Sequence, residues 1–136
     1  MSAAQSPAET PRRVLLVRLS AIGDVIMSSG LIPVLCAAWP ATEIAWLTEE
    51  GNAPLLRHNP RLAEVIALPR QRWAGLGRAG RRLEAAGEAR RFVRDLRARH
   101  FDVAIDLQGL FKSGVWARLS GAPMRIGLGS REGSGL

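Results

Sequence analysis

Short apolar runs alternate with helical patterns along the whole of this 136-residue chain. Residues 13–18, 43–48, 64–68, 102–107 and 124–128 read as strands. The nearly continuous apolar run from Val14 to Val17 is typical of a strand that is buried on both faces of a parallel sheet. Repeated β–α units therefore predict an α/β fold, a Rossmann-like parallel sheet with helices on both of its faces.

The segments between these runs carry apolar residues at helical spacing. Helices are predicted near residues 29–38, 51–58, 83–99 and 110–119, and Pro33 indicates that the first of them begins near Ser29 or kinks. Residues 73–80 contain three glycines and are expected to be mobile. They match Gly-x-Gly-x-x-Gly, but because they do not directly follow a strand, we do not interpret them as a dinucleotide site.

Length and composition narrow the class of protein. The length suits one domain, and the absence of a run of 18 apolar residues argues against a transmembrane helix. Residues 1–12 lack the apolar core of a signal peptide and are expected to form a disordered lead-in. The single cysteine, Cys36, excludes an internal disulfide and suits a reducing cytoplasm. With no P-loop and no zinc-ligand cluster, neither a cofactor nor a metal is expected.

Two turns follow predicted strands and carry polar side chains. Ligands in open α/β sheets bind at the carboxyl ends of strands, so Asp24, after the first strand, would project into a site. Gly23 would let the backbone bend closely there. The other interpretation of Asp24 is a helix N-cap. After the fourth strand, Gln108 suits a sugar hydroxyl and Lys112 a phosphate or carboxylate, unless that lysine is merely solvated.

Arginine dominates the charge of the chain. The net charge is +7, and ten arginines fall between Arg70 and Arg99. A basic α/β module that binds nucleic acid or another polyanion without catalysis is therefore the alternative function. Nucleic-acid binders usually add a recognisable motif or stacking aromatics, and only 5% of this chain is aromatic. Helical spacing is also expected to spread the arginines of the 83–99 helix around it, not along one stripe.

Four segments in order resemble one known family: RVLLVRLSAIGDV, WLTEEG, RQRW and FDVAIDLQGLFKS. The chain is similar, from Arg13 to its last residue, to the N-terminal part of the lipopolysaccharide heptosyltransferases, most of all to their heptosyltransferase I branch. The resemblance implies an incomplete half of a GT-B glycosyltransferase fold, with residues 13–136 forming an acceptor-binding domain. It also implies transfer of heptose from ADP-heptose to Kdo of lipid A, at the cytoplasmic face of the inner membrane.

The same resemblance implies roles for particular residues. Asp24 would be the general base of an inverting transfer. The basic stretch after the third strand would face the anionic acceptor, although RQRW differs from the family's adjacent arginines. Glu49 and Glu50 match an acidic pair that we leave out of the site. The residues expected to bind substrate are Ser20, Gly23, Arg70, Arg72, Gln108 and Lys112.

The resemblance also implies that the chain is a fragment. Nothing in it corresponds to the family's C-terminal domain, which would hold the ADP-heptose. We therefore expect the isolated chain to be inactive. We also expect its sheet to have an exposed edge, because the last strands of the domain would be missing.

Overall fold

The computed structural model describes residues 10–109 and 111–127. Within them, five parallel strands form one sheet in the order β3-β2-β1-β4-β5. The strands are β1 (Arg13–Val17), β2 (Glu43–Glu49), β3 (Glu64–Leu68), β4 (Val103–Asp106) and β5 (Met124–Gly127). Each predicted strand is present to within a residue or so at either end, although Leu128 lies outside the described residues.

Six helices connect and cover the strands. They are α1 (Ile22–Ser28), α2 (Leu31–Ala38), α3 (Ala53–Arg57), α4 (Arg70–Arg78), α5 (Arg82–Arg97) and α6 (Phe111–Leu119). Pro33 is the third residue of α2, in the first turn, where the missing N–H has no partner within the helix in any case. The sequence allowed either a helix start or a kink at this proline. The structure shows a helix start, since α2 begins at Leu31, two residues before Pro33.

Both faces of the sheet are covered, so the last four residues of β1, Val14 to Val17, are buried. Leu15 packs on one face with residues of α5 and α6, and Leu16 packs on the other with residues of α1, α2 and α3. The register continues this division across the sheet, since Leu16 lies opposite Trp46 in β2 and Ile105 in β4. The predicted class, a Rossmann-like parallel sheet with helices on both faces, is confirmed.

The glycine-rich stretch at residues 73–80 was predicted to be mobile, and that prediction is wrong. Most of it belongs to α4, in spite of a cost of about 1 kcal/mol for each glycine in a helix interior. Leu76 is buried, and Trp73 contacts Phe92 of α5 edge-on at 5.6 Å and stacks on Trp116 of α6 at 6.3 Å between ring centroids. Tertiary packing of these apolar side chains outweighs the weak helix propensity.

The arginines of α5 are spread over more than one side of the helix, as expected, since Arg82 and Arg91 lie nine residues and therefore about 180° apart. Arg90, Arg94 and Arg97 follow one another at spacings of four and three residues, which puts them on one side. All three are exposed, whereas Phe92 and Leu96 turn toward the core. The packing of one face of α5 against the sheet leaves these three arginines on the side that faces solvent.

The first residues of the described chain pack against the rest of the fold, whereas its last strand is exposed. Residues 1–9 of the predicted lead-in lie outside the described part, but Pro11 is buried and its carbonyl accepts a hydrogen bond from Thr42 Oγ1 at 2.5 Å. At the other end, β5 pairs with β4 and is exposed, with Met124 52% and Ile126 39% accessible. Among the described residues, β5 is thus the kind of apolar sheet edge that the sequence led us to expect.

One ion pair ties the start of β3 to the end of α5. The guanidinium of Arg99 binds Glu64 with two of its three nitrogens, Nε at 2.8 Å and Nη2 at 2.6 Å. The hydrogen bonds from Arg99 are the largest influence on the pKa of Glu64, and together with the positive charges of Arg99 and Arg13 they lower it, against the opposing effect of partial burial.

This pair predicts a pH dependence of stability. The pKa of Glu64 is lower in the folded chain than in the unfolded chain. The ionised carboxylate therefore makes its full contribution to the free energy of unfolding above the unfolded glutamate pKa. The contribution is lost as the pH falls through the folded value. Glu64→Gln should therefore lower stability at neutral pH and flatten its decline in acid, as measured by urea unfolding at a series of pH values. Parallel pH profiles for the two proteins would contradict this assignment.

Candidate active site

The order of the strands creates a topological switch point between β1 and β4. From β1 the chain moves outward to β2 and β3, and it later returns to the other side of β1 to form β4. Ligands of open α/β sheets bind in the crevice that such a reversal opens at the carboxyl ends of the two strands. The two turns singled out in the sequence follow β1 and β4, so the fold brings them together there.

Gln108 joins the two turns directly. Its side-chain oxygen accepts hydrogen bonds from the backbone N–H groups of Leu19 at 2.8 Å and Ser20 at 3.2 Å. Gln108 is held in turn by the buried carboxylate of Asp106, whose Oδ1 accepts from the N–H groups of Gln108 at 3.0 Å and Gly109 at 2.9 Å. Gly109 has φ +74°, a left-handed conformation that glycine adopts at little cost. The turn after β4 thus holds the turn after β1 in place through hydrogen bonds.

The end of β2 holds the β1 turn from the opposite side. The carbonyl oxygen of Leu19 accepts hydrogen bonds from Thr48 Oγ1 at 3.1 Å, Asn52 Nδ2 at 2.9 Å and the Glu49 N–H at 3.2 Å. Thr48 is completely buried, and Leu19 is as well. The backbone that leads into α1 is therefore fixed by both neighbouring strands.

Arg18, a residue that the sequence analysis did not select, connects this framework to Asp24. Its Nη1 donates to the carbonyl of Leu107 at 2.6 Å, and its Nη2 lies 3.1 Å from Asp24 Oδ2. The arginine side chain is only 17% exposed, whereas that of Asp24 is 57% exposed. Arg18 Nε is buried and has no acceptor in the part of the chain described. A charged residue directly after the apolar run from Val14 to Val17 was the signal in the sequence.

Asp24 is not the N-cap of α1, so that interpretation is wrong. The cap position is Ala21, which makes no side-chain cap hydrogen bond, and Asp24 is the third residue of the helix. A carboxylate in the first turn still interacts favourably with the helix dipole. Its half-exposed position at the switch point, with a cation on one oxygen, leaves it accessible to a ligand hydroxyl.

Gly23 lies inside α1 and does not make the close bend expected of it. The chain has already turned at residues 18–21, before the helix begins, and Gly23 has no left-handed φ. A Cβ built on Gly23 would meet no atom within 4 Å. The space beside this glycine, adjacent to Asp24, is open. Ser20 is half-buried beside it, with its N–H bound to Gln108.

The two arginines predicted to bind substrate point in different directions. Arg70 begins α4, and its Nη1 lies 2.7 Å from Oε2 of Glu49 at the end of β2, on the same edge of the sheet as the switch point. Arg72 instead binds Glu88 of α5 with two hydrogen bonds of 2.8 and 2.7 Å. Those bonds and the arginine's charge lower the pKa of Glu88. The structure brings Arg70 to this edge of the sheet and engages Arg72 between two helices.

Lys112 lies in the first turn of α6, the helix that follows the β4 turn. Its side chain is exposed and makes no ion pair with residues 10–109 or 111–127. Leu110, which precedes this helix, lies outside the described residues. The lysine is available to an anion at the same end of the sheet.

Two kinds of feature were not found in the structure as described. Across residues 10–109 and 111–127, no three His, Cys, Asp or Glu side chains are grouped so that they could hold a metal ion. No helix in the same ranges has the length and apolar character needed to cross a bilayer.

Comparison with known proteins agrees with the resemblance seen in the sequence. The profile of glycosyltransferase family 9 (heptosyltransferase) matches residues 89–135. Lipopolysaccharide heptosyltransferase 1 of Pseudomonas aeruginosa is 37% identical over 117 residues, which are 85% of this chain and 32% of the relative. Lipopolysaccharide heptosyltransferase 2 of Escherichia coli is 30% identical over 115 residues, 85% of this chain and 30% of that protein.

The fold leads to the same family. The structure of E. coli heptosyltransferase WaaC with ADP-2-deoxy-2-fluoro heptose superimposes with a TM-score of 0.76 and 28% identity, over 89% of this chain and 38% of that one. The chain thus spans about a third of the length of the relatives that it matches. In sequence and in structure alike, it belongs to the lipopolysaccharide heptosyltransferase family.

Proposed function

We propose that this chain supplies the acceptor-binding, N-terminal half of a GT-B enzyme that transfers heptose from ADP-heptose to Kdo of lipid A. The observation that carries the proposal is the exposed carboxylate of Asp24, held by Arg18 at the switch point of a heptosyltransferase-like sheet. The names of the relatives support the reaction class, since both are lipopolysaccharide heptosyltransferases. ADP-heptose would bind a second domain across the cleft.

In the proposed mechanism, Asp24 acts as the general base. A sugar hydroxyl is a poor nucleophile until its proton is removed, and a positioned carboxylate contributes about 10²–10⁴-fold to such a step. The acceptor oxygen forms a bond to the anomeric carbon of heptose as the bond to ADP breaks. The proton passes to Asp24, ADP leaves with the electron pair, and the configuration at the anomeric carbon inverts.

Arg18 would prepare Asp24 for this step without touching the substrate. Its guanidinium is anchored to the Leu107 carbonyl, so the pair fixes the carboxylate relative to both turns. Positioning of this kind matters because a displacement of about 1 Å can cost a rate factor of about 10². We regard Arg18 as a positioning residue and Asp24 as the catalytic one.

Cationic and polar groups around the Asp24 carboxylate suit an acceptor that itself carries carboxylates and phosphates. Arg70 is 53% exposed and Lys112 is exposed, so both are accessible to an anion at the carboxyl edge of the sheet. The side-chain nitrogen of Gln108 makes no hydrogen bond within the described structure and is free to bind a sugar hydroxyl. Ser20 and the open space at Gly23 would complete the acceptor site. Arg72, which is bound to Glu88, would act mainly by holding α4 in place.

The proposal also includes a location. An acceptor that is anchored in a bilayer requires the enzyme to work at the membrane surface. We therefore propose a cytoplasmic protein that associates peripherally with the inner membrane. The basic chain suits the anionic lipids of a cytoplasmic leaflet.

A kinetic test checks whether Arg70 binds the acceptor. In an active full-length heptosyltransferase that carries this sequence, Arg70→Ala should raise the KM for the Kdo acceptor about tenfold while leaving kcat and the KM for ADP-heptose nearly unchanged. Loss of uniform binding has this signature. Product formation would be followed by mass spectrometry of the lipid.

Arg61→Ala is the matched control, because Arg61 is exposed and lies after α3. It should leave all three constants unchanged. If Arg70→Ala instead raises the KM for ADP-heptose, the surface around Arg70 has been assigned to the wrong substrate. If the wild-type enzyme transfers no heptose to Kdo, the proposed function itself is wrong.

A further inference from the structure

The outer face of α5 is a basic stripe, made up of Arg90, Arg94 and Arg97, with Leu83 at its N-terminal end. These residues recur at spacings of seven, four and three, so they lie on one side of the helix along about 21 Å of its length. The three arginines are exposed, and Leu83 is 90% accessible. The stripe is therefore a continuous surface facing solvent.

The charges of this stripe are unbalanced, unlike those of three other arginines in this part of the fold, although Arg82 and Arg91 of the same helix also make no ion pair with the described residues. Arg72 is paired with Glu88, Arg81 with Glu84, and Arg99 with Glu64. In contrast, Arg90, Arg94 and Arg97 make no ion pair with the residues that the structure describes. Arg97 does donate from Nε to the carbonyl of Leu119, but that bond leaves its charge uncompensated.

Neighbouring arginines of the stripe repel one another. Arg90 and Arg94 are like charges at i,i+4, and Arg94 and Arg97 are like charges at i,i+3, which destabilises a helix. The acidic residues of α5, Glu84, Glu88 and Asp95, occupy other sides of it. Arg94 and Arg97 also lie in the last turn of α5, where cations interact favourably with the helix dipole. What remains on the stripe is exposed positive charge that an external anion can neutralise.

We propose that the basic stripe of α5 binds the surface of an anionic lipid bilayer. The stripe runs along one side of a single helix, so its arginines can approach one planar surface together, and each arginine near an anionic surface contributes favourably. Leu83 would enter the boundary between headgroups and acyl chains, as the apolar residues of interfacial helices do. This inference rests on the proposed function, in which the protein works at the membrane surface, and it adds which face of the protein makes the contact.

A bilayer fits this face better than nucleic acid does. Single-stranded nucleic acids are held by aromatic platforms as well as by charge. The aromatic residue of α5, Phe92, turns inward and packs edge-on between Trp73 and Trp116. The stripe itself offers arginines and an aliphatic side chain, without a stacking surface.

Vesicle co-sedimentation of the 136-residue chain tests the proposal without any enzymatic turnover. At about 0.1 M salt, the chain should bind vesicles rich in phosphatidylglycerol and not vesicles of phosphatidylcholine alone. A cation near an anionic surface strengthens binding about fivefold, so Arg90→Gln/Arg94→Gln/Arg97→Gln should bind at least about tenfold more weakly. Leu83→Ser should weaken binding further.

The control removes the same charge from another surface. Arg12, Arg57 and Arg61 are exposed, and Arg12→Gln/Arg57→Gln/Arg61→Gln should bind at least about fivefold more tightly than the stripe variant. Equal losses in the two triple variants would overturn the proposal, since binding would then follow net charge alone. Preferential binding to a DNA or RNA oligonucleotide over the anionic vesicles would overturn it as well. Heptose transfer is measured separately, so neither result depends on the outcome of the kinetic test.

Discussion

Replacing Asp24 with asparagine is expected to lower kcat by about 10²-fold or more, with little change in melting temperature. Asparagine keeps the size of the side chain but cannot accept the acceptor's proton. The carboxylate is 57% exposed and caps no helix, and Arg18 keeps its hydrogen bond to the Leu107 carbonyl without it, so little stability depends on the Asp24 carboxylate. The measurement is steady-state heptose transfer by a full-length enzyme that carries this sequence, together with its thermal unfolding curve.

Asp95→Asn is the control for this substitution, because Asp95 is an exposed aspartate near the C-terminal end of α5, which leads into the amino end of β4, and the switch point lies at the carboxyl end of that strand. It should leave kcat unchanged. An Asp24→Asn enzyme with wild-type turnover would remove Asp24 from the mechanism. A variant that lost kcat only in proportion to lost folded protein would show a structural role instead.

Arg18→Met should have the second largest effect, a fall in kcat of about tenfold or more from loss of positioning. The substitution releases Asp24 and removes the anchor to Leu107. Stability should fall only modestly, by about 1 kcal/mol for the lost hydrogen bond to the Leu107 carbonyl, because the partner left behind, Asp24, is 57% exposed and stays hydrated. The assay compares kcat, both KM values and melting temperature.

Two further variants distinguish positioning by Arg18 from binding by it. Arg18→Lys keeps a charge near Asp24 and should recover part of kcat. The double variant Arg18→Met/Asp24→Asn should be no slower than Asp24→Asn alone, because a positioning residue acts through the base. A large rise in acceptor KM with kcat unchanged would instead mean that Arg18 binds the substrate directly.

Much of the sheet could be predicted because its strands are encoded locally. The run from Val14 to Val17 is apolar on every side, as a central parallel strand must be, and the fold puts it in the middle of the sheet. α4 could not be predicted in the same way. Its glycines disfavour a helix, and what stabilises it is contact between Trp73 and side chains of α5 and α6, which no local pattern reveals.

The candidate site was only partly visible in the sequence for the same reason. Asp24 could be selected from its place after β1, since that place depends on neighbouring residues alone. The anchor of Arg18, the carbonyl of Leu107, lies 89 residues further along the chain. Arg72 looked equivalent to Arg70, yet its partner on α5 diverts it from the edge of the sheet. Pairings of this length depend on topology and cannot be found from residue type.

The bond between Gln108 and the turn after β1 has a consequence for how the chain matures on the ribosome. The backbone that presents Asp24 emerges early, but the side chain that grips it at Leu19 and Ser20 is synthesised 89 and 88 residues later. Contacts of such wide separation form late, since a long loop must close first. The nascent polypeptide would thus expose its proposed base without the geometry to use it until β4 has been translated and has inserted beside β1.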